Sequence, residues 1–465
     1  MINAPSCGFF VSAPWRSSGK TVVSLGLSAE ARYRGIALQT FKKGPDYIDP
    51  RWLAVASGAP CYNLDLHQQS VTELKTTYVR QSLGYQATLV EGTMGLHDGV
   101  ASDGSDSNAA VAKLLQLPVV LVVDCRGMHR TIAALVNGLQ EFDPELNFQG
   151  VILNRTRSVR HAQKIENAIS GYSDIKLLGI IPDSDDLHIA EKELGLIPTA
   201  DHDACLTTLD SIRQHINAGV DVDSLFPVSA PAHPQIPDAL SFTRRSTSKT
   251  ARYQNTRIGV AQDDAFHFYY QDDIDQFIAQ GAELIECSPC RDSLPADLDG
   301  FWIGGGFPER YAEQLSGNRG FRDALLQAVR QGLPVHAECG GLMYLCRNLE
   351  CGDTSWPMVG VIDADVSMSE RPQGRGYMQL QPVEGAETPL PAHEFHHSRV
   401  SFHSQPDYVY RVKRGFGVDG QFDGIRCQNV VASYAHFRHT ERTPWVTSFL
   451  ARVDTNKQSY LQHHV

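Results

Sequence analysis

Short apolar runs alternate with stretches of helical periodicity through the first half of the chain. The runs at 8–13, 36–41, Ala87–Glu91, 118–124, 150–154 and 177–181 predict strands, and the helical patterns between them, such as 21–34, supply crossovers. That alternation predicts βαβ units and a parallel sheet. Periodicity lapses at 227–255, a stretch rich in Pro, Ser and basic residues, which predicts a linker. The pattern then resumes, with strands at Arg257–Ala261, 282–287, Gly300–Ile303 and 333–338 and a helix at 321–330. The expected fold is therefore α/β in two domains, 1–226 and 256–465, joined by that linker. No 20–50-residue repeat is present, so solenoids and propellers are excluded.

Composition agrees with a chain that packs two cores. Its 465 residues exceed the roughly 100–200 of one ordinary domain. Lys and Arg number 41 against 53 Asp and Glu, a net charge of −12, which argues against duplex nucleic acid or an anionic membrane as the main partner. An anionic small molecule in a local basic pocket remains compatible. The N-terminus lacks the pattern of a signal peptide and no 18-residue apolar run occurs, so the expected compartment is the cytoplasm. Ten scattered cysteines form no disulfide framework; Cys287 and Cys290 make a lone C-x-x-C, read as two cysteines at a strand end rather than a zinc or redox site.

The loop APWRSSGKT, ending at Thr21, follows a predicted strand and opens a helix, the context of a phosphate-binding loop. Backbone N–H groups around Ser18 and Gly19 and the helix N-terminus would face phosphates, Lys20 would add positive charge, and the Thr21 hydroxyl would hold Mg²⁺. Pro14 stands where the first glycine of such a loop belongs, and Ser17 also replaces a glycine. Glu91 ends a strand of the same sheet, where open α/β sheets bind ligands and where a Mg²⁺ ligand would sit. Asp46 and Asp49 lie in a Gly-Pro turn directly after another strand, which alone would be compatible with ordinary solvated surface.

In the second half, LPVHAECGGL is a strand, a sharp turn and a helix start, the layout of a nucleophile elbow with Cys339 at its tip. Such a turn exposes the thiol and leaves neighbouring N–H groups, including that of Gly340, free for an oxyanion. The strand running into Gly304, Gly305 and Gly306 would bring a second N–H to the same place. His436, which follows an apolar run, is the favoured base; His439 lies beyond it, and the histidines of the 394–397 cluster are rivals. A phosphate site in one domain and a Cys/His elbow in the other together suggest glutamine-dependent amidation.

The motifs SSGKT, FKKGPDYIDP, VEGTMGLHDG, GVILNR, AFHFYY, GGGFPE, ECGGLMYL and HEFHHS span nearly the whole chain. In them the sequence resembles the cobyrinic acid a,c-diamide synthases, which join a dethiobiotin-synthetase-like ATPase domain to a class I glutamine amidotransferase domain. The resemblance implies that Lys20 and Thr21 bind ATP phosphates and Mg²⁺, with Asp46 and Glu91 completing the metal site. It implies that Tyr47, Asp49 and Asp98 lie near the carboxylate being activated, and that Asn154 and Arg155 lie toward the adenine. It further implies that Cys339 attacks glutamine with His436 as base and Gly305 and Gly340 at the oxyanion, while the third triad carboxylate is not obvious. The chain departs from the usual family pattern at His97 in MGLHDG and at His267 in AFHFYY.

The function so implied is ATP-dependent phosphorylation of corrin side-chain carboxylates and their amidation by ammonia from glutamine. Lys42, Lys43, Arg51, Arg371, Arg375 and Arg399 are candidate cations for a polycarboxylate substrate. The expected partners are the tetrapyrrole, glutamine and ATP, without nucleic acid or membrane; a homodimer is left open. Two other readings stay open at this point. One is a sibling that amidates sirohydrochlorin or sirohaem, the other a maturation ATPase whose appended domain is inactive.

Overall fold

The computed structural model describes Pro5 and residues 7–187, 202–227, 252–385 and 388–463. The chain divides into two compact units at residue 240. Most of the predicted linker, 228–251, lies outside the described residues.

The first unit is built on a seven-stranded sheet in the order Tyr62–Leu64, Leu38–Lys43, Ala87–Glu91, Cys7–Ser12, Val119–Asp124, Phe148–Thr156, Leu177–Pro182. Every pairing is parallel. Side chains alternate across the sheet: Phe9, Val11, Val120 and Val122 enter one core, while Phe10, Leu121 and Val123 enter the other. Both faces are covered, which is why these strands read as continuous apolar runs. The strand predicted at 36–41 runs instead over Leu38–Lys43, because Lys42 and Lys43 are buried and continue it past the last apolar residue. Tyr62–Leu64, three residues long, carries too short a pattern to be read.

The second unit holds a nine-stranded mixed sheet in the order Glu283–Cys287, Arg257–Ala261, Gly300–Ile303, Val335–Glu338, Val430–Ser433, Phe422–Cys427, Asp407–Arg414, Gly374–Pro382, Leu390–His396. The first five strands are parallel; the remainder is antiparallel. That antiparallel half is absent from the sequence expectation. Its strand Asp407–Arg414, DYVYRVKR, is half exposed and carries no apolar run. In the parallel half, Phe301 pairs with Val335 and Val335 with Val430, so the strand ends before Gly304, Cys339 and Tyr434 finish side by side. Among the described residues no helix is long and apolar enough to cross a membrane.

Candidate active sites

In the first unit, the functional side chains gather at the C-terminal ends of the parallel strands. The 13–19 loop leaves the strand Cys7–Ser12 and enters the helix Lys20–Tyr33 through Gly19, whose φ of 96° is left-handed. No side chain caps that helix, so its leading N–H groups remain available to an anion. Ser17 also adopts a left-handed φ of 61°, the conformation that the glycine of related loops takes at lower cost. The Lys20 ammonium donates to the Met94 carbonyl at 2.6 Å, and Ser18 Oγ donates to the Trp15 carbonyl at 2.9 Å. Asn154 Nδ2 donates to the Ser18 carbonyl at 3.0 Å and Arg155 Nη1 to the Ser17 carbonyl at 2.7 Å. Both residues thus brace the loop backbone from the strand Phe148–Thr156, two places along the sheet.

A buried charge cluster lies beneath the loop. The Lys42 ammonium sits between Asp49 and Glu91, 2.8 Å from Glu91 Oε1 and in direct contact with Asp49 Oδ2. Thr21 Oγ1 donates to Glu91 Oε1 at 2.7 Å and lies 3.4 Å from Asp49 Oδ2. Burial raises the Glu91 carboxyl to about 7 although Lys42 opposes the shift, and burial with the Asp49 charge raises Asp46 to about 6. Burial and the Lys42 charge together lower Lys20 to about 8. Burial alone would lower Lys42, but Asp49 and Glu91 overcome it and hold the ammonium well above its ordinary range. Lys42, a candidate cation for the substrate, is thus buried as the counter-ion of Asp49 and Glu91; Lys43 is buried as well.

Asp46 Oδ1 accepts the N–H groups of Ile48 and Asp49 at 2.9 and 3.0 Å, fixing the turn before the helix Asp49–Ser57. Tyr47 is buried and Arg51 half-buried beside it. Asp98 Oδ2 accepts the Gly95 N–H at 3.1 Å, and Leu96 N–H donates to the Ala13 carbonyl at 2.7 Å, so the 94–98 turn packs on the phosphate loop. Asn108 holds this turn from the side, donating to Ser12 Oγ at 3.2 Å and the Gly95 carbonyl at 2.9 Å. Nothing in the sequence around Asn108 signals that role.

Among the described residues no group of three or more His, Cys, Asp and Glu side chains forms a metal-sized cage. The donors present suit Mg²⁺, which is usually held by one or two protein oxygens together with phosphates and water. Glu91 Oε2 is buried without a hydrogen-bond partner next to the Thr21 hydroxyl, an anionic oxygen available to a hard cation.

In the second unit, Cys339 joins the strand Val335–Glu338 to the helix Gly340–Leu345 at φ 47° and ψ −101°. This is the strained turn expected of an elbow. Its N–H donates to the Ser433 carbonyl at 2.6 Å, locking the turn to the adjacent strand. Burial pushes the Cys339 thiol upward, so a base is required to generate thiolate. Glycine is required at both flanks. A Cβ on Gly340 would come within 2.9 Å of Pro308 Cδ and 3.2 Å of Gly306 N, and one on Gly305 would overlap the His436 ring. The tertiary fold thus brings Gly305 against His436 and Gly306 against Gly340.

His436 is anchored by reciprocal backbone bonds with His393, 2.8 and 3.2 Å long. His439 is occupied elsewhere: its N–H donates to Asp273 Oδ1 at 2.7 Å and its Nδ1 accepts from Val446 N at 3.2 Å. In the rival cluster, the Glu394 carboxylate accepts Phe416 N–H and Gly417 N–H at 2.7 and 2.8 Å, and the His396 ring stacks on Tyr434 at 3.7 Å. His396 and His397 line a cavity of about 390 Å³ with Cys339, Arg310 and Glu370. Arg371, Arg375 and Arg399 are exposed in the same unit.

Sequence reasoning missed Glu338. Its Oε1 accepts from Phe437 N at 3.1 Å and from His336 Nε2 at 3.2 Å, and its Oε2 lies 3.6 Å from His436 Nδ1. The available signal was that His336 and Glu338, two apart on one strand, must share a face.

Comparison with known proteins assigns both units. Residues 257–444 match the CobB/CobQ-like glutamine amidotransferase domain, and residues 39–190 match an AAA domain, a match that begins beyond the phosphate loop. The cobyrinate a,c-diamide synthase of Magnetococcus marinus is 38% identical over 463 residues, covering 97% of this chain and 98% of that protein. That of Archaeoglobus fulgidus is 36% identical over 90% of this chain and 91% of that protein. The hydrogenobyrinate a,c-diamide synthase of Brucella abortus is 36% identical over 92% of this chain and 98% of that protein.

Proposed function

The chain belongs to the cobyrinate a,c-diamide synthase family, and from that premise we propose that it amidates the a and c side-chain carboxylates of a cobyrinate-type tetrapyrrole, using ATP and glutamine. The observation that carries this is likeness to such synthases along almost the entire chain, together with a Cys339 elbow whose next residue, Gly340, packs on Gly306 while Gly305 packs on His436. The same observation disfavours an inactive appended domain and favours corrin over sirohydrochlorin or sirohaem.

In the first unit, the acceptor carboxylate attacks the γ-phosphorus of ATP, and the phosphoryl group passes to it with loss of ADP. Charge spreads over phosphoryl oxygens, where Lys20 and the N–H groups at the start of its helix stabilise it. Mg²⁺, when bound, would neutralise phosphate charge and would be held by the Thr21 hydroxyl and Glu91. Tyr47, Asp49, Arg51 and Asp98 surround this end of the sheet and are proposed to orient the acceptor. Asn154 and Arg155 keep the loop in shape for the nucleotide.

In the second unit, His436 takes the proton of Cys339, and the sulfur attacks the side-chain amide carbon of glutamine. The oxyanion is met by the N–H groups of the Gly305–Gly306 strand and Gly340. The C–N bond breaks as His436 returns the proton to nitrogen, releasing ammonia; water then cleaves the thioester to glutamate and free thiol. Ammonia attacks the acyl phosphate carbon, phosphate leaves and the amide remains. ATP, glutamine and a free thiol suit a cytoplasmic setting, and nothing in this chemistry calls for nucleic acid.

The decisive experiment is mass analysis after incubation with ATP, Mg²⁺ and glutamine, with cobyrinate, hydrogenobyrinate and sirohydrochlorin supplied separately. Two successive exchanges of hydroxyl for amine on a corrin support the proposal. Conversion of sirohydrochlorin alone overturns it.

A further inference from the structure

Three buried groups, His436, Glu338 and His336, are linked through the two oxygens of one carboxylate. His436 Nδ1 faces Glu338 Oε2 at 3.6 Å, and the other oxygen of the same carboxylate accepts from His336 Nε2 at 3.2 Å. The His336 ring stacks on Trp445 with centroids 4.4 Å apart and planes 18° from parallel. Trp445 Nε1 donates to Asp273 Oδ2 at 3.1 Å, so the stacking partner is itself fixed. Phe437 N–H adds a further bond to Glu338 Oε1 at 3.1 Å. All three titratable side chains are more than nine-tenths buried.

We propose that Glu338 is the positioning carboxylate of the elbow, orienting His436 through Nδ1, and that His336 holds Glu338 in place for that task. The assignment rests on the reading of Cys339 and His436 as a glutaminase pair. It fills the role of the third triad carboxylate, which the sequence leaves unassigned. A carboxylate on Nδ1 selects the tautomer whose Nε2 is free to take the thiol proton and stabilises the imidazolium that results. When Cys339 Sγ–H gives its proton to Nε2, the charge on Glu338 balances the new positive charge without itself accepting a proton.

The surroundings agree with an ionised Glu338. Burial alone would raise it, yet its contacts with His336 and His436 bring it down to about 2. The other titratable groups facing the pair are Cys339, Tyr269, Tyr410, Asp273 and His393, whose ring is 5.5 Å from that of His436. Burial pushes Cys339, Tyr269, Tyr410 and Asp273 upward, which leaves Glu338 as the acid of the group drawn toward its charged form.

The test uses the full-length enzyme with Glu338→Gln, Glu338→Asp and His336→Gln. Glu338→Gln is expected to lower glutamine kcat/KM by about 10²–10⁴-fold while ammonium-supported amidation persists. Its acidic limb in the pH profile should move down by about half a unit or more, because the imidazolium has lost its counter-charge. Alkylation of Cys339 by iodoacetamide near neutral pH should slow in parallel, and Glu338→Asp should restore part of both. His336→Gln retains a donor to Glu338, and its loss should be smaller and in the same direction. Unchanged kcat/KM and an unmoved acidic limb in Glu338→Gln overturn the proposal. If that variant also loses ammonium-supported amidation, unchanged profiles in Glu338→Asp and His336→Gln overturn it instead. Glutaminase activity surviving in Cys339→Ala would refute the underlying reading, a result separate from these.

Discussion

Gly19 and Asn154 are in contact across 135 positions of sequence: a Cβ on Gly19 would overlap the Asn154 amide nitrogen, which donates to the neighbouring Ser18 carbonyl at 3.0 Å. Gly19 also holds φ at 96°, so its lack of a side chain serves both the turn and the brace. Gly19→Ala should therefore displace Asn154 and reshape the loop, costing roughly 1–3 kcal/mol of stability. Amidation should fall sharply with glutamine and with ammonium alike. Urea unfolding and product formation with each nitrogen source measure the two effects; a variant active with ammonium would show that the loop is not the phosphate site.

Cys339→Ala separates the two chemistries. Glutamine-dependent amidation should drop by at least about 10³-fold, because the covalent intermediate cannot form. Activity with ammonium should stay near the parent value. Loss of both would mean that Cys339 does more than release ammonia.

Lys20 is held at about 8 by burial and by Lys42, so above that pH a growing share of the free enzyme carries a neutral amine. The kcat/KM for ATP should fall on an alkaline limb near pH 8, since that parameter reports the unliganded enzyme. Lys20→Arg, which cannot deprotonate in this range, should lack the limb whatever its residual rate, and Lys20→Ala should stop amidation from either nitrogen source. A limb that persists in the arginine variant would assign it to another group.

Removing the Lys42 ammonium would leave Asp49 and Glu91 without their buried partner. Lys42→Met should destabilise the first unit by about 3–5 kcal/mol at pH 8. The pH dependence has a definite sign. Glu91 is already raised to about 7, so its ionisation opposes folding: the stability is present below its unfolded value near 4.5 and is lost as pH rises through 7. The variant should therefore lie closer to the parent protein at pH 5.5 than at pH 8 in chemical denaturation. Equal losses at both would show that the carboxylates stay ionised throughout.

Ser17→Gly should stabilise the loop by about 0.5–1 kcal/mol, since serine there takes a φ of 61° that glycine reaches freely. The Arg155 guanidinium bonds only the backbone carbonyl of residue 17, so that bond is retained. A small rise in melting temperature at unchanged KM for ATP is the expected reading.

Much of this molecule was legible before folding. The apolar runs carried the parallel strands because both of their faces are buried, and SSGKT and ECGGL carried the phosphate loop and the elbow because each is a local backbone conformation. The antiparallel strands such as Asp407–Arg414 were not legible, since a half-exposed strand shows no continuous apolar signal. Nor was the destination of Lys42, which reads as a surface cation beside a turn and ends as a buried counter-ion between carboxylates 7 and 49 positions away. Glu338 and His436 meet for the same kind of reason: the register of Val335–Glu338 on Val430–Ser433 aligns residues nearly a hundred positions apart. A side chain's local conformation follows from its neighbours along the chain, whereas its electrostatic partner follows from which strands pair and in what register. The turn of the elbow was written in the consecutive residues Cys339, Gly340 and Gly341; that the preceding Glu338 faces His436 was decided by the sheet.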